Sequence, residues 1–221
     1  MYILLTDHLR CPRCGPEHGL VLLGERIEAR RVLDGVLGCA NCREQYPVRG
    51  GWADLRGGST APRDPEAGGP SASPHDPGAG GPTERPAPEA VVRLAAQLGV
   101  REGPGFVLVA GVGAELAAGV AGLVEGLEVV AVGVELAGRG EVPGVSRLAV
   151  GRVLPLAPGS MRAVALRGDG GGIALEEAAR VVGPLGRLVV DDAGPTVLER
   201  LGRAGFEVLA RDGAEVVAVR R

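Results

Sequence analysis

The sequence predicts an α/β protein: a doubly wound, mainly parallel sheet that ends in an antiparallel hairpin, preceded by a small cysteine-bearing module. Three observations carry this. Short continuous apolar runs recur at "FVLVA" (106–110), "LEVVAVGV" (127–134), "RLAV" (147–150), "AVAL" (163–166) and "RLVVD" (187–191), as strands buried on both faces do. Helix-like segments, "AELAAGVAGLV" and "ALEEAARVVG", fall between them, which is the alternation of parallel strands with crossover helices. The chain then closes with "FEVLAR", Asp212-Gly213 and "AEVVAVR", two strands around a tight-turn dipeptide.

In chain order, residues 1–56 form the first module and residues 90–221 the second. Between them, residues 57–89 hold 7 Gly and 8 Pro and no large apolar side chain. Such a segment cannot bury enough apolar area to offset its ordering entropy and is expected to be a disordered linker; His75 lies inside it. Past it, Val91, Leu94, Ala95 and Leu98 recur at i, i+3, i+4, i+7, with Gly99 as the helix stop. The crossover "LAGRGEVPGV" after Glu135 carries three glycines and a proline, poor material for a helix.

Four cysteines occupy the first module as two C-x-x-C pairs, Cys11/Cys14 and Cys39/Cys42. Each such turn presents two thiolates to one ion, and four thiolates complete the tetrahedral shell of a structural Zn²⁺. A redox dithiol would need only one pair, set at a helix start. His8 and His18 are then expected at the surface.

Composition removes several activities. All 24 basic residues are Arg, which excludes Schiff-base and P-loop lysine chemistry. The histidines stand at 8, 18 and 75, outside the second module, so no Ser-His or Cys-His hydrolase is assembled there. Aromatics make up 2% of the chain and the net charge is −3, neither the stacking surface nor the basic footprint of a nucleic-acid binder. No signal-like N-terminus and no 18-residue apolar run is present, so a cytoplasmic protein without membrane contact is expected.

"LLTDHLRCPRC", "GVLGCANC" and "YPVRGGWADL" resemble the zinc-ribbon family of tRNA-methyltransferase activator subunits. The resemblance covers about the first 56 residues and implies a module that binds and stabilises a methyltransferase domain. It directs attention to "YPVRGGWADL" as an exposed partner-binding surface with Trp52 as its anchor, or, alternatively, to Trp52 as a core residue of the ribbon.

The second module resembles class I S-adenosylmethionine-dependent methyltransferases, in "VLPLAPGSMRAVAL" and above all in "EEAARVVGPLGRLVV". The resemblance implies a Rossmann-like sheet with an antiparallel strand inserted near its end, and a cofactor held by Gly111, Gly113 and Glu135. Glu135 would accept two hydrogen bonds from the ribose diol. Departures are plain: Val109 replaces the acid ending the first strand, Glu115 the third glycine, and Val150 stands near the adenine-side acid. Each lost acceptor costs about 1–3 kcal/mol, so two weaken binding by a few orders of magnitude. Asp169, Asp191 and Asp192 follow later strands at the same edge. The expectation is a zinc-ribbon protein with a reduced methyltransferase-like domain, non-catalytic and acting on a protein partner or as a scaffold; the alternative is an active methyltransferase of unknown acceptor.

Overall fold

The computed structural model describes residues 1–56, 86–111, 115–133, 136, 139–168, 170–191, 193–194 and 196–221. The segment 57–85 and the expected site residues Gly113, Glu135, Asp169 and Asp192 lie outside the described residues. Among the described residues are twelve strands: β1 (Arg10–Cys11), β2 (Gly15–Glu28), β3 (Arg31–Cys39), β4 (Gln45–Arg49), β5 (Trp52–Leu55), β6 (Gly105–Gly111), β7 (Leu127–Val132), β8 (Val145–Val150), β9 (Met161–Arg167), β10 (Val182–Val190), β11 (Phe206–Asp212) and β12 (Glu215–Arg220). Four α-helices accompany them: α1 (Pro88–Leu98), α2 (Leu116–Leu123), α3 (Leu175–Val181) and α4 (Val197–Arg203), with a 3-10 segment at Ile3–His8.

All twelve strands form one sheet, in the order β1-β2-β3-β4-β5-β8-β7-β6-β9-β10-β12-β11. The strands from β5 to β10 are mutually parallel. β12 then runs antiparallel between β10 and β11, and Asp212 and Glu215 close the expected hairpin around Gly213. The apolar runs make the central strands because every residue of Phe106–Ala110 and of Leu127–Val132 is buried. A side chain on either face of these strands therefore meets a covering layer.

One face is covered by helices. α1 buries Val91, Leu94 and Leu98, α2 buries Leu116, Ala117 and Val120, and both lie in one cluster with Val107, Val109, Val129, Ala165 and Val189 of the sheet. Gly99 ends α1 at φ 67°, the left-handed stop its position suggests. On the opposite face α3 and α4 contribute Ala178, Val181 and Leu201 beside Leu188 and Ala218. Over β6–β8 this second face is covered by the N-terminal 3-10 segment. Leu5 and Leu9 are fully buried in the same cluster as Leu108, Val130 and Leu148, and the rings of Tyr2 and His8 lie 6.3 and 5.1 Å from Phe106.

Three local departures have physical causes. Residues 139–144 carry no helix, as their glycines and proline dictate. β10 starts at Val182 instead of 187, with a register shift against β9 at the Gly-Pro-Leu-Gly turn, where Leu185 sits at φ 59° and 80% exposed. His8 and His18 are half-buried instead of at the surface; the Phe106 contact explains the first.

Candidate functional site

The two C-x-x-C pairs meet. Cys11 ends β1, Cys39 ends β3, and the turn before β4 carries Cys42. This turn is tight: the Arg43 N–H donates to Cys39 O and the Cys39 N–H to Glu44 O, both at 2.9 Å. All four sulfurs lie within 4.8 Å of one another, with Cys11–Cys42 at 3.7 Å and Cys14–Cys39 at 3.8 Å. For zinc–sulfur bonds of about 2.3 Å, tetrahedral geometry places sulfurs about 3.8 Å apart, so the donor set and its spacing fit Zn²⁺. Around it, the Tyr46 hydroxyl stands 3.5 Å from Cys11 Sγ and the Asn41 amide donates to Cys14 Sγ at 3.3 Å. Both are partners that orient and stabilise metal-bound thiolates.

"YPVRGGWADL" is spent inside the chain. Tyr46, Val48, Ala53 and Leu55 are all at or below 2% exposure, and Trp52–Leu55 pairs in parallel with Arg147–Val150. The expected exposed surface is therefore corrected: its apolar side chains alternate inward along β4 and β5 and join the common core. Trp52 is half-buried, under the Arg56 guanidinium at 5.9 Å, with its indole N–H buried and unpartnered.

Beside this strand junction lies a polar lock that sequence reasoning missed. Arg31 donates to Glu128 at 2.6 Å, to Glu141 at 2.5 Å and to the Val145 carbonyl. Ser146 donates to Glu128 at 2.6 Å and accepts from the Tyr2 N–H at 2.8 Å. Arg147, 2% exposed, donates to the Gly50 carbonyl. A signal existed: Glu128 and Arg147 are charges inside apolar strand runs, and a buried charge requires a partner.

At the carboxyl ends of the parallel strands, where α/β sheets hold ligands, the structure sets Gly111, Arg167, Asp191 and Glu215 side by side on β6, β9, the end of β10 and β12. Gly111 has φ 83°. A Cβ there would collide with the Arg167 carbonyl and stand 3.0 Å from Gly171 N and 3.1 Å from Gly170 Cα. The missing side chain thus admits the chain's own glycine turn. Arg167 Nε lies 2.8 Å from Asp191 Oδ2. Burial pushes the Asp191 carboxyl above its usual range, further than the Arg167 charge draws it down, and the Glu215 charge adds to the rise.

The "EEAARVV" stretch also has a structural task. Arg180 donates to the Leu154 and Leu156 carbonyls, each at 2.7 Å, and Glu177 accepts from the Leu154 N–H at 3.0 Å. Together they fix the 154–156 loop under the N-terminal segment, where the Leu9 backbone bridges Leu156. Among the described residues no helix is long and apolar enough to cross a membrane.

No protein-family model matches the chain, and no curated protein does. Solved structures similar to it include the [4+2]-cyclase SpnF at 22% identity, covering 56% of this chain and 58% of that one with a TM-score of 0.43. A precorrin-6y C5,15-methyltransferase from Geobacter metallireducens is 15% identical, covering 59% and 86% with a TM-score of 0.39. A tRNA (m1A58) methyltransferase from Aquifex aeolicus is 16% identical, covering 62% and 71% with a TM-score of 0.40. The chain thus spans 58% of the length of the first of these, and similarity at this level says nothing about activity.

Proposed function

We propose that the chain is a methyltransferase-like protein with a structural zinc ribbon that has lost catalysis and acts by binding a protein partner, as a scaffold in the cytoplasm. The observation that carries the loss of catalysis is Gly111. The space its absent side chain leaves is filled by backbone atoms of Arg167, Gly170 and Gly171, and the neighbouring Asp191 is engaged by Arg167. The departures at Val109, Glu115 and Val150 point the same way, since a cofactor amine would go without its acceptors.

Cys11, Cys14, Cys39 and Cys42 would hold the zinc. Four thiolates leave no open position, so the ion would supply cross-linking and no Lewis-acid chemistry. The four cysteines are all unpaired, a state that suits a reducing compartment. The ribbon's "YPVRGGWADL" stretch would serve this chain's own sheet in the way the activator resemblance implies for a separate methyltransferase, so a further partner would use another surface.

The deciding experiment is calorimetric titration of the purified protein with S-adenosylmethionine and S-adenosylhomocysteine. No binding up to millimolar concentration is expected. Micromolar binding that is lost on Glu135→Ala would instead establish an active cofactor site and shift the search to a methyl acceptor.

A further inference from the structure

The 3-10 segment Ile3–His8 is an unusual cover for the middle of a parallel sheet. It is six residues long and has no side-chain hydrogen bond at its N-cap, and 3-10 runs of that length are weak on their own. Yet it buries Leu5, and Leu9 just past it, completely against the β6–β8 half of the sheet. Its position is therefore imposed by what it is tied to. At its start the Ile3 N–H donates to Arg30 O at 2.9 Å and the Val32 N–H to Met1 O at 2.7 Å. At its end the Arg10 N–H donates to Pro155 O at 2.9 Å and the Ala157 N–H to His8 O at 2.8 Å. The residue that follows Arg10 is Cys11.

Direct side-chain ties from Cys11–Cys14 to β3 and β4 are, among the described residues, the sulfur cluster, the Cys11–Tyr46 and Asn41–Cys14 contacts and the Arg13–Glu44 ion pair at 2.9 Å, whose arginine is 67% exposed; the backbone reaches β3 indirectly, through the short β1–β2 pairing. An exposed pair of that kind contributes little. To the backbone bonds at this end of the cover, the ion the four sulfurs are spaced to hold would add the strongest single tie onto β3 and β4, and metal-binding free energy at such a site is folding free energy.

We infer that the four-cysteine centre latches the N-terminal cover onto the parallel half of the sheet, so that metal occupancy governs the protection of β6, β7 and β8. These strands carry no cysteine. The other half of the same face is covered by α3 and α4, whose contacts do not pass through the cysteines. Metal loss should therefore act unevenly, opening the β6–β8 half while the β10–β12 half stays closed. The inference rests on the zinc reading above.

Hydrogen–deuterium exchange of the full chain, with zinc content measured on the same samples, tests it. The protein is compared as purified, after treatment with a chelator, and after zinc is restored. Amides of 106–110, 129–132 and 146–149 are expected to exchange at least tenfold faster without metal and to recover with zinc, while those of 216–219 change less than about threefold. The variant Leu5→Ala should accelerate the same β6–β8 amides with its zinc content unchanged. Zinc that leaves with no change in β6–β8 overturns the latch and spares the metal site. Equal acceleration of both halves also overturns it, in favour of general destabilisation. Protein purified without chelator that holds no zinc overturns the latch and the metal reading together.

Discussion

The two covers of the central sheet are built on different principles. α2 lies close in sequence to β7, on which it packs, while α1 packs on α2, β9 and β10 through a regular helical stripe at Val91, Leu94 and Leu98. The N-terminal cover reaches β7 and β8 from far away, with Arg31 and Glu128 97 positions apart and Tyr2 and Ser146 144 apart. The helical cover is held mainly by helix propensity and apolar packing. The distant one has a weak backbone of its own and is held by buried ions, strand pairing and the sulfur centre.

Substitutions sharpen that contrast. Arg31→Ala leaves Glu128, at 6% exposure, with Ser146 as its remaining partner, and breaking a buried pair costs about 3–5 kcal/mol. Urea unfolding is expected to show a loss of that size, and a loss under about 1 kcal/mol would break the claim that ions lock the distant cover. Leu5→Ala and Leu94→Ala, both fully buried, are each expected to cost about 2–4 kcal/mol. If only Leu94→Ala did so, the distant cover would contribute nothing to the core.

Arg180→Met removes the donors that hold the Leu154 and Leu156 carbonyls and should cost about 1–3 kcal/mol in thermal unfolding. It carries a pH signature as well. Burial pushes the Glu177 carboxyl up, but the Arg180 and Leu154 hydrogen bonds outweigh it and leave the group below the ordinary glutamate range. As pH falls through the ordinary glutamate pKa of about 4.3, the unfolded chain takes up this proton before the folded one does, so wild-type stability drops there. Stability measured against pH should show a shallower acid limb in Arg180→Met. The smallest effect is a gain: Leu185→Asn relieves a leucine at φ 59°, with little packing to lose at 80% exposure, and should raise stability by up to about 1 kcal/mol.

Much of the sheet was legible in the sequence because its central strands are buried on both faces and so read as unbroken apolar runs. The meeting of the four cysteines was legible too, since residue type and spacing encode it locally. The pairing of β5 with β8 was not: Trp52 meets Arg147, and no periodicity reports which distant strand lies alongside. The inward alternation of Tyr46, Val48, Ala53 and Leu55 signals a half-buried strand, and only the partner was missing. At the carboxyl edge, the resemblance implies Gly111 as a cofactor contact, because in sequence a glycine that admits a ligand and one that admits the backbone of Arg167, Gly170 and Gly171 look alike.

The long reach between Tyr2 and Ser146 also sets an order of events at the ribosome. Chains grow at about 5–20 residues per second, so the first residues wait roughly 7 to 30 s before β8 exists to receive them. Through that interval Leu5 and Leu9 lack the complete parallel sheet, with Leu108, Val130 and Leu148, that buries them in the finished fold. The cysteines need no such wait, for all four have been made by residue 42. If those cysteines hold zinc as proposed, a newborn chain can close that site first and keep the Leu9 end of the cover in place until the parallel strands arrive.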